Sequence, residues 1–392
     1  MTTKLYLSLC SIRSIAWQSK FLILSSLFFF AFLFAANSAT LTVTSALDDG
    51  SAGTLRERIS SASPGDIIDF AAGVTYITLN GNEIVIDKTL TINGGSGTTK
   101  VTIDANNLSR IFNVVSCITF NINNLILKKG NSGTSSGGAI YCYGSTLTIA
   151  NCTFSENTAG YFGGAIDNDA NSTCVVVNST FTENTADNGG AIDNYGSTLT
   201  VVNSTFSGNT AYYGGAIYNY NSTLYLYHNT FVDNSAANIG GGIYNYNAVT
   251  LYSYNCLYIN NKVSGNVSTA GQICGTVYDG TNLIDNTGGT LTIARHTVFG
   301  GNTLTPGGYI EPLYDIAKSA VKLTVTNIQV PTSITAAEII ALLSNDQAGN
   351  TRPATGNVTY GSVEYSGSGP TIYTITYNLN GGSGSILPTS YF

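Results

Sequence analysis

Residues 189–209 read GGAIDNYGSTLTVVNSTFSGN, and both ends of this stretch recur along the chain. The opening Gly-Gly-Ala-Ile returns every 25 or 26 residues, in copies that begin at Gly137, Gly163, Gly189 and Gly214 and in a near-copy at Gly240. The closing Phe-x-x-Asn keeps the same pace. A fixed period of this length is typical of a solenoid, in which each repeat forms one coil and buries its apolar face against its neighbours.

Apolar residues between the two motifs alternate with polar ones, which indicates strands rather than helices. When the coils are aligned on their Phe, two apolar columns lie two positions apart and therefore share one face of a strand. The columns are Leu147, Cys174, Leu199, Leu224 and Ile149, Val176, Val201, Leu226. Short strands with Gly and Asn turns predict an all-β protein, a right-handed parallel β-helix that rises ~4.8 Å per coil. Cys174 occupies a leucine position, which favours a packing role over a disulfide.

The recurring Phe and Asn residues are predicted to stack on themselves from coil to coil. The Phe column forms a third inward row and consists of Phe154, Phe181, Phe206 and Phe231. The Asn column consists of Asn157, Asn184, Asn209, Asn234 and, from a variant motif that begins at Leu257, Asn260. We expect these Asn residues to adopt the left-handed turn conformation and to hydrogen-bond amide to amide. The paired glycines provide positive φ or allow close approach of coils, so folding alone explains both motifs.

The segments that flank the regular coils predict an exported protein. Residues 1–39 combine basic residues, an uncharged apolar run at 21–36 and small residues, which is typical of a signal peptide. Thr54-x-x-Glu57 is a capping box that predicts a short helix through Ser61, within an N-terminal cap at 40–75. The β-helix is assigned to 76–300, with its regular coils at about 127–286. No second hydrophobic span follows, so we expect no transmembrane helix in the mature chain.

The charge distribution argues against nucleic acid as a partner. The formal net charge is −7, and no Lys or Arg occurs between Lys129 and Lys262, a stretch that holds seven Asp and Glu residues. Such a surface cannot neutralise phosphates and release their counterions. Polyanionic sugars are disfavoured for the same reason.

The repeated motifs resemble the polymorphic outer membrane protein repeats, whose signature pairs Gly-Gly-Ala-Ile with Phe-x-x-Asn. Residues 47–57 and 64–66 are similar to the N-terminal cap of exported bacterial β-helix proteins of the choice-of-anchor type. Residues 346–353 and 361–364 resemble the segment that closes their helix, so 301–366 are assigned to a C-terminal closing segment. Residues 373–388 resemble the start of an internalin-like β-grasp repeat, which is interpreted as truncated within 367–392. These resemblances imply export, display at the cell surface or outer membrane, and often adhesion.

Two sets of residues that follow Gly-Gly-Ala-Ile are the candidate functional residues. Asp167 and Asp193 occupy equivalent positions and should stack roughly 5 Å apart, which suits a retaining glycosidase pair, while Asp169 nearby can contribute to a calcium site. The slot of Asp167 and Asp193 holds Tyr in other coils, which favours an outward position that tolerates diverse residues. A second column holds aromatic residues that can stack on sugar rings or anchor a protein partner. This column consists of Tyr143, Tyr195, Tyr220 and Tyr246.

Conventional catalytic and cofactor motifs do not emerge from the sequence. With two His residues and no Ser or Cys motif beside them, a catalytic triad is unsupported. The Cys spacings match no zinc pattern, so no metal or cofactor is expected apart from the calcium alternative. His228 replaces Asn in a turn column and is interpreted as an exposed turn residue.

Two functions from different classes therefore remain open. The first is a non-enzymatic, exported adhesin or surface stalk that binds glycans or cell-surface proteins through the tyrosine and carboxylate edge. The second is a polysaccharide-degrading enzyme on the same fold that uses Asp167, Asp169 or Asp193. A passive spacer without a ligand is a third, minor alternative.

Overall fold

Four sheets, three long and one shorter, build the described part of the chain. The computed structural model describes residues 38–95, 99–247, 250–267, 272–274, 283–284, 336–347 and 351–352. Almost all sheet neighbours are parallel and lie one coil apart, so these residues form a parallel β-solenoid. The predicted all-β parallel architecture is confirmed. The predicted signal peptide at 1–39 falls almost entirely outside the described residues, and the β-grasp segment at 367–392 falls wholly outside them.

The strands of each sheet follow one another in space along the solenoid. Sheet A consists of Thr40–Val43, Ile67–Phe70, Leu90–Asn93, Thr119–Asn123, Thr146–Ala150, Thr173–Val177, Thr198–Val202, Thr223–Tyr227 and Thr250–Tyr254. Sheet B consists of Tyr76–Thr78, Val101–Asp104, Leu125–Lys128, Thr153–Ser155, Thr180–Thr182, Thr205–Ser207, Thr230–Val232, Leu257–Ile259 and Leu283–Ile284. Sheet C consists of Ile84–Ile86, Phe112–Val114, Ile140–Tyr143, Ile166–Asp169, Ile192–Tyr195, Ile217–Tyr220, Ile243–Tyr246 and Ile273–Cys274. Sheet D consists of Thr185–Asn188, Thr210–Tyr213, Ser235–Ile239, Lys262–Val263 and Asn266–Val267.

The apolar columns predicted from the alignment of coils form the interior. Leu147, Cys174, Leu199 and Leu224 are register partners on successive strands of sheet A, and all four side chains are fully buried. The Phe column stacks nearly face to face, with ring centroids 4.7 Å apart for Phe154 and Phe181 and 4.8 Å apart for Phe181 and Phe206. Each pair adds about 0.5–1.5 kcal/mol beyond the burial of its area.

The two glycines of Gly-Gly-Ala-Ile have separate roles, illustrated by one copy. Gly189 has a φ of 63°, a left-handed conformation that residues with a Cβ rarely adopt. Gly190 has no such φ, but a Cβ there would lie 2.2 Å from the carbonyl oxygen of Gly215 on the next coil. The first glycine therefore turns the chain, and the second allows adjacent coils to approach.

A buried Asn ladder runs along the solenoid, with one correction to the predicted membership. The Oδ1 atom of Asn184 accepts from the backbone N and from Nδ2 of Asn157, at 3.1 and 2.9 Å. Its Nδ2 atom donates to the carbonyl of Phe154 and to Oδ1 of Asn209. The same contacts continue through Asn234 to Asn261, not to Asn260. The reason is that Phe231 pairs with Tyr258, so the alignment of Leu257 with the Phe column was wrong by one residue.

The left-handed turn position is also one residue earlier than predicted. The residues with positive φ at this turn form the column Glu156, Glu183, Gly208, Asp233 and Asn260, with φ between 54° and 67°. The ladder Asn residues follow them and are fully buried. Asn260 therefore belongs to the turn column, where its Nδ2 donates to Asp233 at 2.5 Å.

The predicted capping helix is present at Leu55–Ser61, and Arg56 is one of the side chains that connect it to the first coils. Thr54 Oγ1 accepts from the backbone N of Glu57, as in a capping box, whereas Glu57 Oε2 accepts from the backbone N of Gly53, one residue before the N-cap. The Arg56 guanidinium forms an ion pair with Asp48 at 2.8 Å and donates to the carbonyl of Glu83. The helix buries Leu55 and Ile59 against the first strands.

A second helix, Ala336–Leu342, packs on a side of the solenoid and was not predicted. Ile339 and Leu343 form a separate apolar cluster with Val177, Val202, Tyr227 and Tyr254 on the outer face of sheet A. Gln347 donates to the carbonyl of Ser179 at 3.0 Å. The described part of the predicted closing segment thus covers a side of the rod and not its end. Its other residues lie outside the described ranges.

Candidate functional site

The outer face of sheet C carries two adjacent columns of Tyr and Asp, which we call the tyrosine–aspartate face. The Ile of each of these strands and the residue two positions later (Cys142, or Asn in the later coils) point inward, so the residues between and after them point outward. The first column consists of Tyr141, Asp167, Asp193, Tyr218 and Tyr244. The second column consists of Tyr143, Asp169, Tyr195, Tyr220 and Tyr246. The alignment predicted from the repeat is confirmed for both columns.

Three tyrosines of the second column form a continuous exposed ladder. The ring centroids of Tyr195 and Tyr220 are 5.0 Å apart with nearly parallel planes, and those of Tyr220 and Tyr246 are 5.6 Å apart. Tyr195 and Tyr246 are 44% and 48% exposed. Tyr143 is equally exposed but lies on the other side of Asp169, so the fourth predicted member is separated from the ladder by one coil.

Asp167 and Asp193 stack as predicted, but they are not on an open surface. They are register partners on adjacent strands, and they are only 3% and 0% exposed. The slot therefore points outward as predicted, but its two carboxyl groups are shielded from solvent by their neighbours. Tyr141 precedes the pair and Tyr218 follows it in the same column, so the pair lies between aromatic side chains.

Burial of two stacked carboxyl groups changes their ionisation. Burial, followed by the charge of Asp169, raises the pKa of Asp167 to about 7. Burial and the charge of Asp167 raise the pKa of Asp193 well above its ordinary value. When both groups are ionised, neither oxygen of Asp193 has a hydrogen-bond partner in the described part of the chain, nor does Oδ1 of Asp167. We conclude that at neutral pH the pair retains a proton, because two adjacent buried carboxylates cannot both ionise.

One arginine approaches the face at its N-terminal end. The Arg110 guanidinium carbon lies 5.3 Å from the ring centroid of Tyr141, a cation–π distance. Its Nη1 atom pairs with Glu83 Oε2 at 2.6 Å, and its Nε donates to the carbonyls of Ser136 and Gly137. The charge of Arg110 is therefore already balanced by Glu83.

Of the three carboxyl groups on the tyrosine–aspartate face, Asp169 is the one that solvent can reach. It is half-buried, and its Oδ2 accepts a hydrogen bond from the hydroxyl of Tyr141 at 3.4 Å. Its Oδ1 accepts from the backbone N of Ala170. Burial, followed by the charge of Asp169, raises the pKa of Tyr141 to about 12, so this phenol stays protonated as a donor.

Sequence reasoning missed a second Asn ladder directly beneath the face. Nδ2 of Asn168 donates to Oδ1 of Asn194 at 2.7 Å, and the same contact continues to Asn219 and Asn245. The signal was present, because these Asn residues recur with the repeat at inward positions, two residues after its Ile. The ladder fixes the strands of sheet C and thereby the spacing of the residues on its outer face.

His228 lies in a turn column as predicted, but it is not exposed. Its φ is 51° and it is only 2% exposed, so its interpretation as an exposed residue is wrong. Its Nε2 lies 3.2 Å from Nδ2 of Asn255 on the next coil, a neighbour that the sequence alignment had not assigned to this column. In the described ranges, no group of three or more His, Cys, Asp or Glu side chains is arranged to hold a metal ion.

Comparison with known protein families matches the repeats themselves. Residues 151–169, 178–195 and 203–220 match the Chlamydia polymorphic membrane protein repeat. The chain thus carries polymorphic membrane protein repeats on a parallel β-solenoid. No curated protein and no solved structure gives a significant match. None of the helices in the described ranges is long and apolar enough to cross a membrane.

Proposed function

We propose that this protein is exported and displayed at the cell surface, where it acts as an adhesin that binds neutral glycans through the tyrosine–aspartate face. Its polymorphic membrane protein repeats favour a surface or outer-membrane location. The observation that carries the proposal is the continuous ladder of Tyr195, Tyr220 and Tyr246. Its first two rings are stacked, the third is tilted by 37° against the second, and the two outer rings remain nearly half exposed.

Exposed tyrosines combine an apolar ring with a polar edge, which suits sugars. Because neighbouring rings of the ladder cover each other's faces, a sugar packs its C–H groups against the exposed ring edges, and the phenol hydroxyls provide partners for sugar hydroxyls. The residues between Lys129 and Lys262 contain no cationic side chain, so a polyanionic glycan meets uncompensated negative charge here. A neutral glycan meets no such penalty.

The proposal is tested by binding the full chain to an array of neutral oligosaccharides. We expect Tyr220→Ala to weaken binding by about tenfold, because it removes the central ring of the ladder. Tyr212→Ala is the matched control, since Tyr212 is 50% exposed but lies on sheet D outside the ladder. Equal losses for both variants, or no binding by the unmodified chain, would contradict the proposal.

The enzymatic alternative is less compatible with the geometry. Asp167 and Asp193 are shielded from solvent in this conformation, so a polysaccharide chain does not reach both carboxyl groups. The same array distinguishes the two functions. Bond cleavage that is abolished by Asp193→Asn would favour the enzyme over the adhesin.

A further inference from the structure

Two copies of one Tyr–Asp arrangement occur in this molecule, on different sheets. In sheet B, Tyr76 pairs in register with Thr102, and its hydroxyl donates to Asp104, two residues further along the neighbouring strand. In sheet C, Tyr141 pairs with Asp167, and its hydroxyl donates to Asp169, again two residues further along. The sequence separation from Tyr to Asp is 28 residues in both copies.

In the first copy, a lysine completes the arrangement. Lys128 is the register partner of Asp104 on the third strand. Its Nζ lies 3.4 Å from Asp104 Oδ2 and 5.2 Å from the ring centroid of Tyr76. The ammonium group is thus held by a carboxylate on one side and by an aromatic face on the other.

In the second copy, no cation of the described residues takes this place. Asp167 and Asn168 pair with Asp193 and Asn194, so the register puts Tyr195 beside Asp169, where the first copy has its lysine. Within the described residues, Asp169 takes part in no ion pair. Arg110 is the nearby cation, but it lies over Tyr141 and pairs with Glu83.

The surroundings of Asp169 add to the negative potential. Asp167 and Asp193 lie in the adjacent column, at least nine-tenths buried and with oxygen atoms that have no donor in the described part of the chain. No lysine or arginine occurs in the sequence from 130 to 261, and the nearby Arg110 is already paired with Glu83. Since the pair retains a proton at neutral pH, it adds at most one negative charge to that of Asp169, which remains the main attraction for a cation that enters this region.

We propose that the notch formed by Asp169, Tyr141 and Tyr195 binds a primary ammonium group, presented by a lysine side chain of a partner protein. This inference rests on the proposed function, since both treat the tyrosine–aspartate face as a ligand surface, but it names a second subsite and a different ligand. Asp169 is half-buried between the more exposed Tyr143 and Tyr195. A slender alkyl stem such as that of Lys128 reaches it, whereas an amine attached directly to a sugar ring is held away by the flanking rings.

The probe is a fluorescently labelled hexalysine peptide, titrated with the full chain at low ionic strength and followed by anisotropy. We expect Asp169→Asn to weaken binding by about tenfold, because it removes the central carboxylate. Asp187→Asn removes the same charge from an exposed position on sheet D and should change binding less than about twofold. A fully acetylated peptide, which has no ammonium groups, should not bind. Equal binding by wild type and Asp169→Asn, or equal losses in both variants, would overturn the proposal.

A second variant tests whether a lysine of the chain itself can fill the notch and block the peptide. Tyr195→Lys places a lysine where the first copy has Lys128, so we expect it to occupy the notch and to abolish hexalysine binding. Undiminished binding by this variant would also overturn the proposal. Binding of glucosamine oligomers through Asp169 without binding of hexalysine would overturn the assignment to lysine. Tyr220→Ala keeps the two proposals separate, because it should weaken glycan binding and leave hexalysine binding unchanged.

Discussion

The Asn ladder and the Asp167–Asp193 pair are both stacks of identical polar side chains on adjacent coils, yet their chemistry differs. Each amide of the ladder presents a donor to one neighbour and an acceptor to the other. Asn184, for example, uses both side-chain atoms in four hydrogen bonds while fully buried. The carboxyl pair stacks acceptor on acceptor, and Asp193 is as deeply buried without a donor from the described residues.

This difference shows what repetition can and cannot stabilise in a solenoid. A parallel stack superimposes every side chain on its copy, so a residue that carries both a donor and an acceptor satisfies itself. A residue that carries only acceptors is satisfied only when it binds a proton or accepts a hydrogen bond from another group. The ladders therefore stabilise the rod, whereas the Asp pair makes its stability dependent on pH.

The largest effect on stability is expected when a carboxyl group replaces one amide of the buried Asn ladder. Asn184→Asp replaces the donor to Phe154 and Asn209 with an acceptor inside the buried ladder. We expect the free energy of unfolding in urea to fall by about 3–5 kcal/mol at pH 8, the usual range for an uncompensated buried charge. Glu183→Gln, at the exposed neighbouring position, should change it by less than about 0.5 kcal/mol. A similar small change in both variants would show that the ladder is not a stabilising element.

A smaller effect is expected when the charge of the Asp pair is changed by pH. The pKa of Asp167 is raised from 3.8 to about 7 on folding, so the unfolded chain releases its proton first. The stability that this group contributes is fully present below pH 3.8 and is lost as the pH rises through about 7. We expect the free energy of unfolding to decrease between pH 5 and pH 8 by about 3 kcal/mol, because about two pKa units of the shift fall in this interval at 1.36 kcal/mol per unit.

A single substitution isolates the source of this pH dependence. Asp193→Asn supplies an amide donor to Asp167 and removes one of the two stacked acids. The variant should be more stable than wild type at pH 8 and should show a flatter stability curve between pH 5 and pH 8. A wild-type curve that stays flat over this interval would contradict the raised pKa of the pair.

Much of the fold was predictable because each repeat reports the same packing. The Leu column and the Phe column follow from period-two alternation within a coil and from the spacing between coils, and both lie in the interior. The helix Ala336–Leu342 was not predicted, because its apolar partners are outward residues of sheet A far away in sequence. Outward residues acquire such partners only through tertiary packing between distant segments, and the repeat pattern contains no information about that packing.

The candidate site was predictable in its columns but not in its burial. Register partners such as Asp167 and Asp193 follow from the repeat, since a parallel stack aligns equivalent positions. Their outward direction follows from the alternation along the strand. Their shielding from solvent depends on side chains of other coils, which the alternation does not describe. The diagonal contact of Tyr141 with Asp169 depends on side-chain direction, which spacing alone does not specify.

The smallest effect tests the one-residue correction at the end of the ladder. Asn261→Ala removes an amide that accepts from Asn234 and donates to Phe231 and Gln272, so we expect a loss of about 2 kcal/mol in the free energy of unfolding. Asn260→Gly preserves the left-handed turn, as Gly208 does in the same column, and removes one half-buried contact with Asp233. Its expected loss is below about 1 kcal/mol. The reverse order of the two losses in urea denaturation would restore Asn260 to the ladder, and with it the alignment of Leu257 on the Phe column.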